Sequence, residues 1–401
     1  MTLRFVSDAT QGGRLLASGL IVALLAGCAA APTRLNPITR TAQPEAVIAG
    51  IPGARHWGDR SPPGFEQWLN VPEAELKRDY AGVFGVPHTY LAISGGGADG
   101  AFGAGLLVGW TAQGTRPEFT VVTGISTGAL IAPFAFLGPK YDPVLRKVYT
   151  ELSTADLVER RGLLDIVRND SLASTRPLRQ LIAQYIDDAV IAEMAAEHRR
   201  GRSLLISTTN LDAARPVTWN ITRIAASGVP GSHDLIHDVI LASASIPGVF
   251  PPVKVEVEAG GRTYDEIHVD GGVTSQVFMY PAGLNWRKVL DRLQVPGRPK
   301  LYVIRNSRTD PGFETIERRL VPIMSRSVSS LIRTQGIGDM AIIYLVARRD
   351  GVDFNLAHVP DDFSAEPEET FDREYMRKLF AIGYDAALKG YPWITGPTAP
   401  E

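Results

Sequence analysis

The sequence predicts an α/β fold, because two strand-turn-helix units follow each other in its first third. Residues 89–94 form a short apolar run with β-branched and aromatic side chains, which is typical of a strand. A glycine-rich loop and an apolar helix follow, and residues 119–125 begin a second unit of the same kind. Apolar runs at 203–209 and 300–306 predict further strands between helical segments.

The bulk composition is that of an ordinary globular protein. The chain has 401 residues, of which 45% are hydrophobic and 21% are charged, so it can bury a large core. Its formal net charge of -2 argues against a nucleic-acid partner, which usually requires a basic surface. The single cysteine excludes an intrachain disulfide, and no group of His, Cys and Asp residues has zinc spacing. We therefore expect neither a metal nor a cofactor.

The N-terminus has the features of a secretory signal. Arg4 and Arg14 precede an apolar run at residues 15–26, which is too short to span a bilayer comfortably. The sequence LAGC, which ends at Cys28, resembles the lipobox of bacterial lipoproteins. This resemblance implies a signal peptide over residues 1–27, cleavage before Cys28, and acylation of that cysteine. The acyl chains would anchor the protein to a membrane of the bacterial cell envelope.

The residue after the cysteine bears on which membrane holds the protein. It is Ala29, whereas an aspartate there favours the inner membrane of Gram-negative bacteria, so we expect the outer membrane. The alternative is a buried N-terminal helix with a chance cysteine. In the lipoprotein interpretation, residues 28–87 form a tether and an N-terminal extension. The proline- and alanine-rich stretch 29–43 is typical of the tether.

The loop after the first predicted strand is suited to an anion. Gly95, Gly96 and Gly97 offer backbone N–H groups at the positive end of the following helix, which makes them candidates for an oxyanion hole. With Gly100, the loop also fits the G-x-G-x-x-G pattern of dinucleotide-binding domains. Such domains carry an acidic residue at the end of the second strand to bind the ribose, and this strand has none. The missing acid favours the oxyanion hole, and tight packing alone is the third alternative.

The second predicted strand enters a G-x-S-x-G sequence. Ser126 lies between Gly124 and Gly128, where a sharp turn from strand to helix would expose its hydroxyl. Glycine neighbours relieve the crowding that such a turn creates. A single G-x-S-x-G often occurs by chance. The glycine-rich loop one strand-helix unit earlier makes the combined pattern a more specific signal that Ser126 is a nucleophile.

Asp270 is the candidate base. It closes an apolar strand, follows a predicted hairpin and precedes Gly271 and Gly272. In open α/β sheets, ligands bind at the carboxyl ends of the strands. A carboxylate there can accept the proton of a nearby serine hydroxyl. The alternative is that Asp270 only caps its own turn, a common role before glycine, and composition alone favours that role.

Together these motifs resemble the patatin-like phospholipase family over roughly residues 88–290. The matching blocks are, in the family's order, the glycine loop, the G-x-S-x-G sequence, ASASIPGVFPPV at 242–253 and Asp-Gly-Gly. The resemblance implies a three-layer α/β/α sandwich with a central, mostly parallel sheet, related to the α/β-hydrolases. It also implies a dyad in which Ser126 attacks an acyl carbonyl, Asp270 takes its proton and the glycine loop holds the oxyanion.

One position departs from the family pattern. Family members often carry a basic residue where this chain has Asp99, and a negative charge should oppose an oxyanion. One way to reconcile it is that Asp99 caps the following helix. The departure bears on substrate charge preference more than on the reaction class.

A Ser-His-Asp triad is the alternative to a dyad. In α/β-hydrolase order its histidine would follow the aspartate, and only His358 does so. We expect His358 to be structural. His268 would share a strand face with Asp270, and we expect it to fill the core.

The C-terminal region, residues 291–401, is predicted to add a strand and helices that complete or cover the catalytic domain at 88–290. Residues 321–348 predict one or two helices, with Gly336 and Gly338 as a break. An apolar cap that opens at a lipid surface is the alternative to core helices.

The predicted function is that of a membrane-anchored lipid acyl hydrolase of the phospholipase A type, with a phospholipid or another lipid ester as substrate. The first alternative is a hydrolase of soluble esters or thioesters with the same mechanism. The second is a non-catalytic envelope lipoprotein that serves as a scaffold.

Overall fold

The computed structural model describes residues 34–160, 171, 173–310 and 312–397. Cys28 and the predicted signal peptide lie outside the described residues. The strands are β1 (Arg55–Trp57), β2 (Thr89–Ile93), β3 (Val121–Gly124), β4 (Glu159–Arg160), β5 (Ala173–Ser174), β6 (Ser203–Asn210), β7 (Arg215–Asn220), β8 (Val253–Ala259), β9 (Arg262–Asp270), β10 (Lys300–Arg305) and β11 (Asp353–His358).

The α helices of the described residues alternate with these strands along most of the chain. They are α1 (Phe65–Trp68), α2 (Glu73–Asp79), α3 (Gly100–Gln113), α4 (Thr127–Leu137), α5 (Asp142–Glu151), α6 (Thr154–Leu157), α7 (Arg176–Tyr185), α8 (Asp188–Arg199), α9 (Ile221–Ala226), α10 (Ser232–Ser243), α11 (Trp286–Arg292), α12 (Leu320–Asp350) and α13 (Arg373–Leu388).

A mixed, mostly parallel sheet forms the middle of the molecule. Its parallel part runs in the order β6-β3-β2-β10-β11, and β7 and β1 add an antiparallel edge beyond β6. The β8–β9 hairpin joins through an antiparallel pairing of β9 with β6. Since β10 and β11 extend the sheet next to β2, residues beyond 291 contribute two of its strands. The domain boundaries themselves stay predictions.

Helices cover both faces of this sheet. Along β2, Leu91 and Ile93 belong to a large cluster that includes residues of α3, α4, α8, α10 and α13. Tyr90 and Ala92 point to the other face, into a cluster with residues of α11 and α12. This alternation of side chains is that of a strand buried on both faces. The predicted three-layer α/β/α sandwich is therefore confirmed.

The glycine-rich helix α3 packs backbone to backbone against α13. A Cβ atom at Gly105 would lie 2.0 Å from the carbonyl oxygen of Phe380, and one at Gly109 would lie 2.2 Å from that of Tyr384. Glycines are thus required at this contact, which fixes the C-terminal helix against the helix that follows the glycine loop.

Two local predictions are wrong. Residues 320–350 form one continuous helix instead of breaking at Gly336. A Cβ at this position would lie 2.7 Å from a guanidinium nitrogen of Arg305, so the glycine makes room for that side chain. The predicted tether is bound to the fold from its described start. Arg34 donates to the carboxylate of Asp265, and the backbone N–H of Ile38 donates to the Asp265 carbonyl at 3.1 Å.

Over the part of the chain that the structure describes, no helix has both the length and the apolar character needed to cross a membrane.

Candidate active site

The site lies where two strands meet end to end along one edge of β6. β3 pairs with residues 203–206 of β6 and ends at Gly124 opposite Ile206. β9 pairs with residues 208–210 from the opposite direction and ends at Asp270 opposite Thr208. β7 pairs with residues 205–210 on the other edge of β6. The residues that follow β3 and end β9 therefore face each other, which brings Ser126 and Asp270 together.

Ser126 occupies a strained turn between β3 and α4. Its backbone has φ 55° and ψ -125°, and its side chain is buried. Positive φ is unusual for a residue with a side chain and is found at functional turns. The flanking glycines permit the turn, since a Cβ at Gly124 would lie 2.4 Å from the Gly128 carbonyl oxygen and one at Gly128 would lie 2.4 Å from that of Ile93. This is the geometry expected of a nucleophile elbow.

Ser243 fixes the backbone of this turn. The Ser126 N–H donates to the Ser243 hydroxyl at 3.0 Å, and that hydroxyl donates to the Ser207 carbonyl at 2.7 Å. Sequence reasoning did not single out Ser243, although it lies in the small-residue block at 242–253. A serine at the end of a buried helix that leads into this block was the available signal.

Asp270 caps its own turn with one carboxylate oxygen and leaves the other without a partner among the described residues. Its Oδ1 atom accepts the Gly272 N–H at 2.7 Å, which caps the turn. Its Oδ2 atom is buried and has no hydrogen-bond partner among the described residues. The Ser126 hydroxyl is close enough to lower the pKa of the carboxyl, but no hydrogen bond of ordinary geometry joins the two side chains. Such contacts often tighten only when a substrate binds.

Burial gives this carboxyl the pKa of a base that works near neutrality. Desolvation is the largest effect and raises the pKa of Asp270 from 3.8 to about 7, while the hydrogen bond from Gly272 and the nearby Ser126 hydroxyl act in the opposite direction. A general base is most effective when its pKa lies near the working pH.

The glycine loop offers fewer free donors than predicted. The Gly95 N–H donates to the Gln276 carbonyl at 3.0 Å, so the prediction that it belongs to the oxyanion hole is not supported. The N–H groups of Gly96 and Gly97 have no acceptor among the described residues. Gly97 lines the same pocket as Ser126. These two N–H groups are therefore the ones that remain available to an oxyanion.

Asn306 holds the loop in place, a role that the sequence did not indicate. Its side chain donates to the Ser94 carbonyl at 2.9 Å and accepts the Gly103 N–H at 3.1 Å. A Cβ at Gly96, which has φ 153°, would lie 2.0 Å from the Asn306 carbonyl oxygen. The end of β10 thus supports the loop from below, and glycine is required where the two backbones touch.

Asp99 does not cap α3, so the helix cap suggested above does not explain an acidic residue beside the glycine loop. No side-chain hydrogen bond is made at this cap, and Oδ1 of Asp99 accepts instead from the Tyr375 hydroxyl of α13 at 2.6 Å. Burial raises the pKa of Asp99 to about 6, and Tyr375 and Arg308 lower it. The carboxylate is thus tied to α13, and its charge is partly offset by Arg308.

An apolar pocket opens beside Ser126. Gly97, Ser126 and Thr127 form its polar end, and the rest of its lining is hydrophobic or aromatic, contributed mainly by α4, α5, α6, α7 and the segment after α10. Leu130, Phe134, Leu178 and Ile182 are typical of this lining. A wall of this kind suits an alkyl or acyl chain, because burying such a chain is favoured and no polar group needs to be satisfied.

The histidines that form hydrogen bonds form them elsewhere. All seven are described, and none hydrogen-bonds to Ser126 or Asp270. His268 is buried between Glu266 (3.1 Å) and Thr208 (2.8 Å), and burial lowers its pKa. His358 ends β11, and its Nδ1 atom lies 2.8 Å from the Val359 carbonyl oxygen. The structure therefore brings no histidine into the place of a triad base.

A three-layer sandwich with a serine at a strained turn, a glycine loop and an apolar pocket is an arrangement compatible with the hydrolysis of acyl esters. The comparison with family models agrees with this. Residues 91–282 match the model of patatin-like phospholipases, and this part of the chain is a patatin-like phospholipase domain.

Among solved structures, VipD from Legionella pneumophila is similar at 14% sequence identity, with a TM-score of 0.33, over 76% of this chain and 67% of that chain. No curated protein is significantly similar to the chain.

Proposed function

We propose that the protein is a serine acyl-ester hydrolase of the phospholipase A type that uses Ser126 and Asp270 as a dyad. The observation that carries the proposal is the buried Oδ2 atom of Asp270, which has no described partner and faces a serine held in a nucleophile elbow. A buried acceptor without a partner is costly, and a functional role accounts for that cost.

The proposed reaction has two steps. The Ser126 oxygen attacks the acyl carbonyl carbon while its proton moves to Asp270, and the N–H groups of Gly96 and Gly97 hold the oxyanion that forms. The tetrahedral intermediate collapses to an acyl-serine, and the leaving alcohol takes the proton from Asp270. Water then attacks the acyl-serine, again giving its proton to Asp270. The fatty acid leaves, and the serine oxygen recovers its proton.

Lipid esters are the proposed substrates, because the pocket beside Ser126 is apolar beyond its polar end. An acyl chain in this pocket would place its carbonyl carbon near the serine hydroxyl. We further propose that acylated Cys28 holds the enzyme on a bacterial membrane. Because Ala29 follows this cysteine, we propose the outer membrane. The anchor would keep the enzyme at its substrate.

The test compares acyl release from phospholipid vesicles with hydrolysis of short soluble esters and thioesters. The proposal expects fatty-acid release from phospholipids that is lost in Ser126→Ala and in Asp270→Asn. Turnover confined to the soluble substrates would contradict the lipid assignment. No turnover of any ester by the purified full-length protein would contradict the hydrolase itself and favour a scaffold.

For the anchor, the matched variant is Cys28→Ser. It is expected to leave the membrane fraction in high-salt washes, whereas the unchanged protein stays. Retention of both in the membrane would contradict acylation as the anchor.

A further inference from the structure

The long helix α12 has two halves with different surroundings. From Gln335 onward it packs on the sheet, with Met340, Ile343 and Ala347 buried. In residues 320–334, which we call the outer half, each side chain that the structure describes is exposed or half-buried. The outer half therefore projects from the body of the protein.

Large hydrophobic side chains cover one face of this outer half. Leu320 is 76% exposed and Leu331 is 70% exposed, and Ile323, Met324, Val328 and Ile332 are each between 44% and 55% exposed. Leu320, Met324, Val328 and Leu331 follow the spacing of a single helical face. Monomeric soluble proteins rarely leave so many neighbouring apolar side chains in water, so this face points to an interaction.

Basic residues occupy the opposite side of the same helix. Arg319, Arg326 and Arg333 recur every seven residues and thus form one stripe, and Arg318 immediately precedes it. No acidic residue occurs from 318 to 338, although the whole chain has a formal net charge of -2. Glu314 and Glu317, which contact Arg326 and Arg319, lie before the helix.

The outer half ends at the candidate active site. The side chain of Gln335 accepts from the Gln276 side chain at 3.3 Å, and Asp339 accepts the Gln276 N–H at 2.6 Å. Gln276 also donates to the Gly272 carbonyl at 2.6 Å and accepts the Gly95 N–H at 3.0 Å. One residue thus links α12 to the turn after Asp270 and to the glycine loop.

We propose that the outer half of α12 docks on an anionic lipid bilayer. A helix with a broad apolar face and an arginine-rich polar face lies in the plane of the interface, with its apolar side among the acyl chains. The arginines complement the phosphates of anionic headgroups. The biological meaning of this docking surface rests on the proposed function. The surface would hold the active site at a bilayer independently of Cys28.

The test follows the helix itself with a fluorescent label. Cys28→Ser removes the only cysteine of the chain, so a second substitution gives a single labelling site in the full-length protein. Leu331→Cys places an environment-sensitive dye on the apolar face. Leu345→Cys is the matched control, because Leu345 is 63% exposed on the half of α12 that packs on the body.

The proposal expects blue-shifted, brighter emission from the label at position 331 with vesicles of phosphatidylcholine and phosphatidylglycerol. The response should be weaker with phosphatidylcholine alone and absent at position 345. An equal response at both positions, or none at 331, would overturn it. A shift that grows with protein concentration without vesicles would also overturn it and assign the face to a second copy of the chain.

A second pair of variants separates docking from catalysis. Leu331→Glu should lower hydrolysis of vesicle phospholipid about tenfold and leave turnover of a short soluble ester unchanged, whereas Leu345→Glu should change neither. Equal loss in both variants, or loss on the soluble ester, would contradict a docking role. If the unchanged protein hydrolyses no ester, the proposed function fails, and the label at position 331 still decides whether the helix docks.

Discussion

Asp270→Asn removes the proposed base with almost no change in shape. The amide oxygen of asparagine can still accept the Gly272 N–H, so the turn should persist. The buried Oδ2 atom is replaced by an amide nitrogen, which cannot take a proton from Ser126. Since a general base contributes about 10²–10⁴-fold to a rate, we expect kcat/KM on a short soluble ester to fall by that factor.

The same substitution should change how stability depends on pH. The pKa of the Asp270 carboxyl is about 7 in the folded protein, against an ordinary value of 3.8. Between these values the folded state keeps a proton that the unfolded state has released, so the free energy of unfolding falls as the pH rises. At about 1.36 kcal/mol per pKa unit, the charged carboxylate costs roughly 4 kcal/mol of stability above pH 7.

Asparagine is neutral throughout this range, so the variant should be less active but more stable than the unchanged protein in mild alkali. Urea unfolding at about pH 8 and about pH 4 measures this, with a gain expected only at the higher value. The kcat/KM of the unchanged protein should rise with pH up to about 7 and then level off. An Asp270→Asn variant that keeps most of its activity, or that gains no stability in alkali, would refute the assignment of Asp270 as a buried base.

Three further substitutions test the surroundings of the site. His358→Ala should leave kcat/KM within about twofold, because the ring lies against its own strand end; a loss like that of Asp270→Asn would restore a triad. Asn306→Ala should lower kcat while the protein stays folded, because the segments on either side of the glycine loop, at Ser94 and at Gly103 of α3, each lose a hydrogen bond. The cost should be about 1–3 kcal/mol of stability, measured by urea unfolding, and unchanged kcat would contradict the supporting role. Leu178→Trp should shift the preference towards shorter acyl chains by filling the pocket, and an unchanged chain-length profile would place the acyl chain elsewhere.

The parts of the fold that could be predicted were those set by local patterns. The strand at Thr89–Ile93 and the strand at Val121–Gly124 each combine an apolar run with a glycine-rich turn, and both were predicted within two residues at either end. Asp270 could be placed at a strand end because the hairpin before it has a clear pattern. That it meets Ser126 depends on two strands sharing one edge of β6, and single-sequence patterns do not encode this pairing.

The parts that could not be predicted depend on contacts distant in the chain. The N–H of Gly95 looks as available as its neighbours until Gln276 is placed beside it, 181 positions later. Gly336 looked like a helix break because glycine often ends helices, whereas here it makes room for Arg305. In the same way, the segment from Arg34 looked like a tether, since nothing in its composition indicates that Asp265 will bind it.

The central claim is that Ser126 is an activated nucleophile. Incubation with a fluorophosphonate, followed by peptide mass spectrometry, tests it without any assumption about the substrate. We expect a single covalent adduct on Ser126, formed more slowly in Asp270→Asn. An unlabelled Ser126, under conditions that label a known serine hydrolase, would contradict the account.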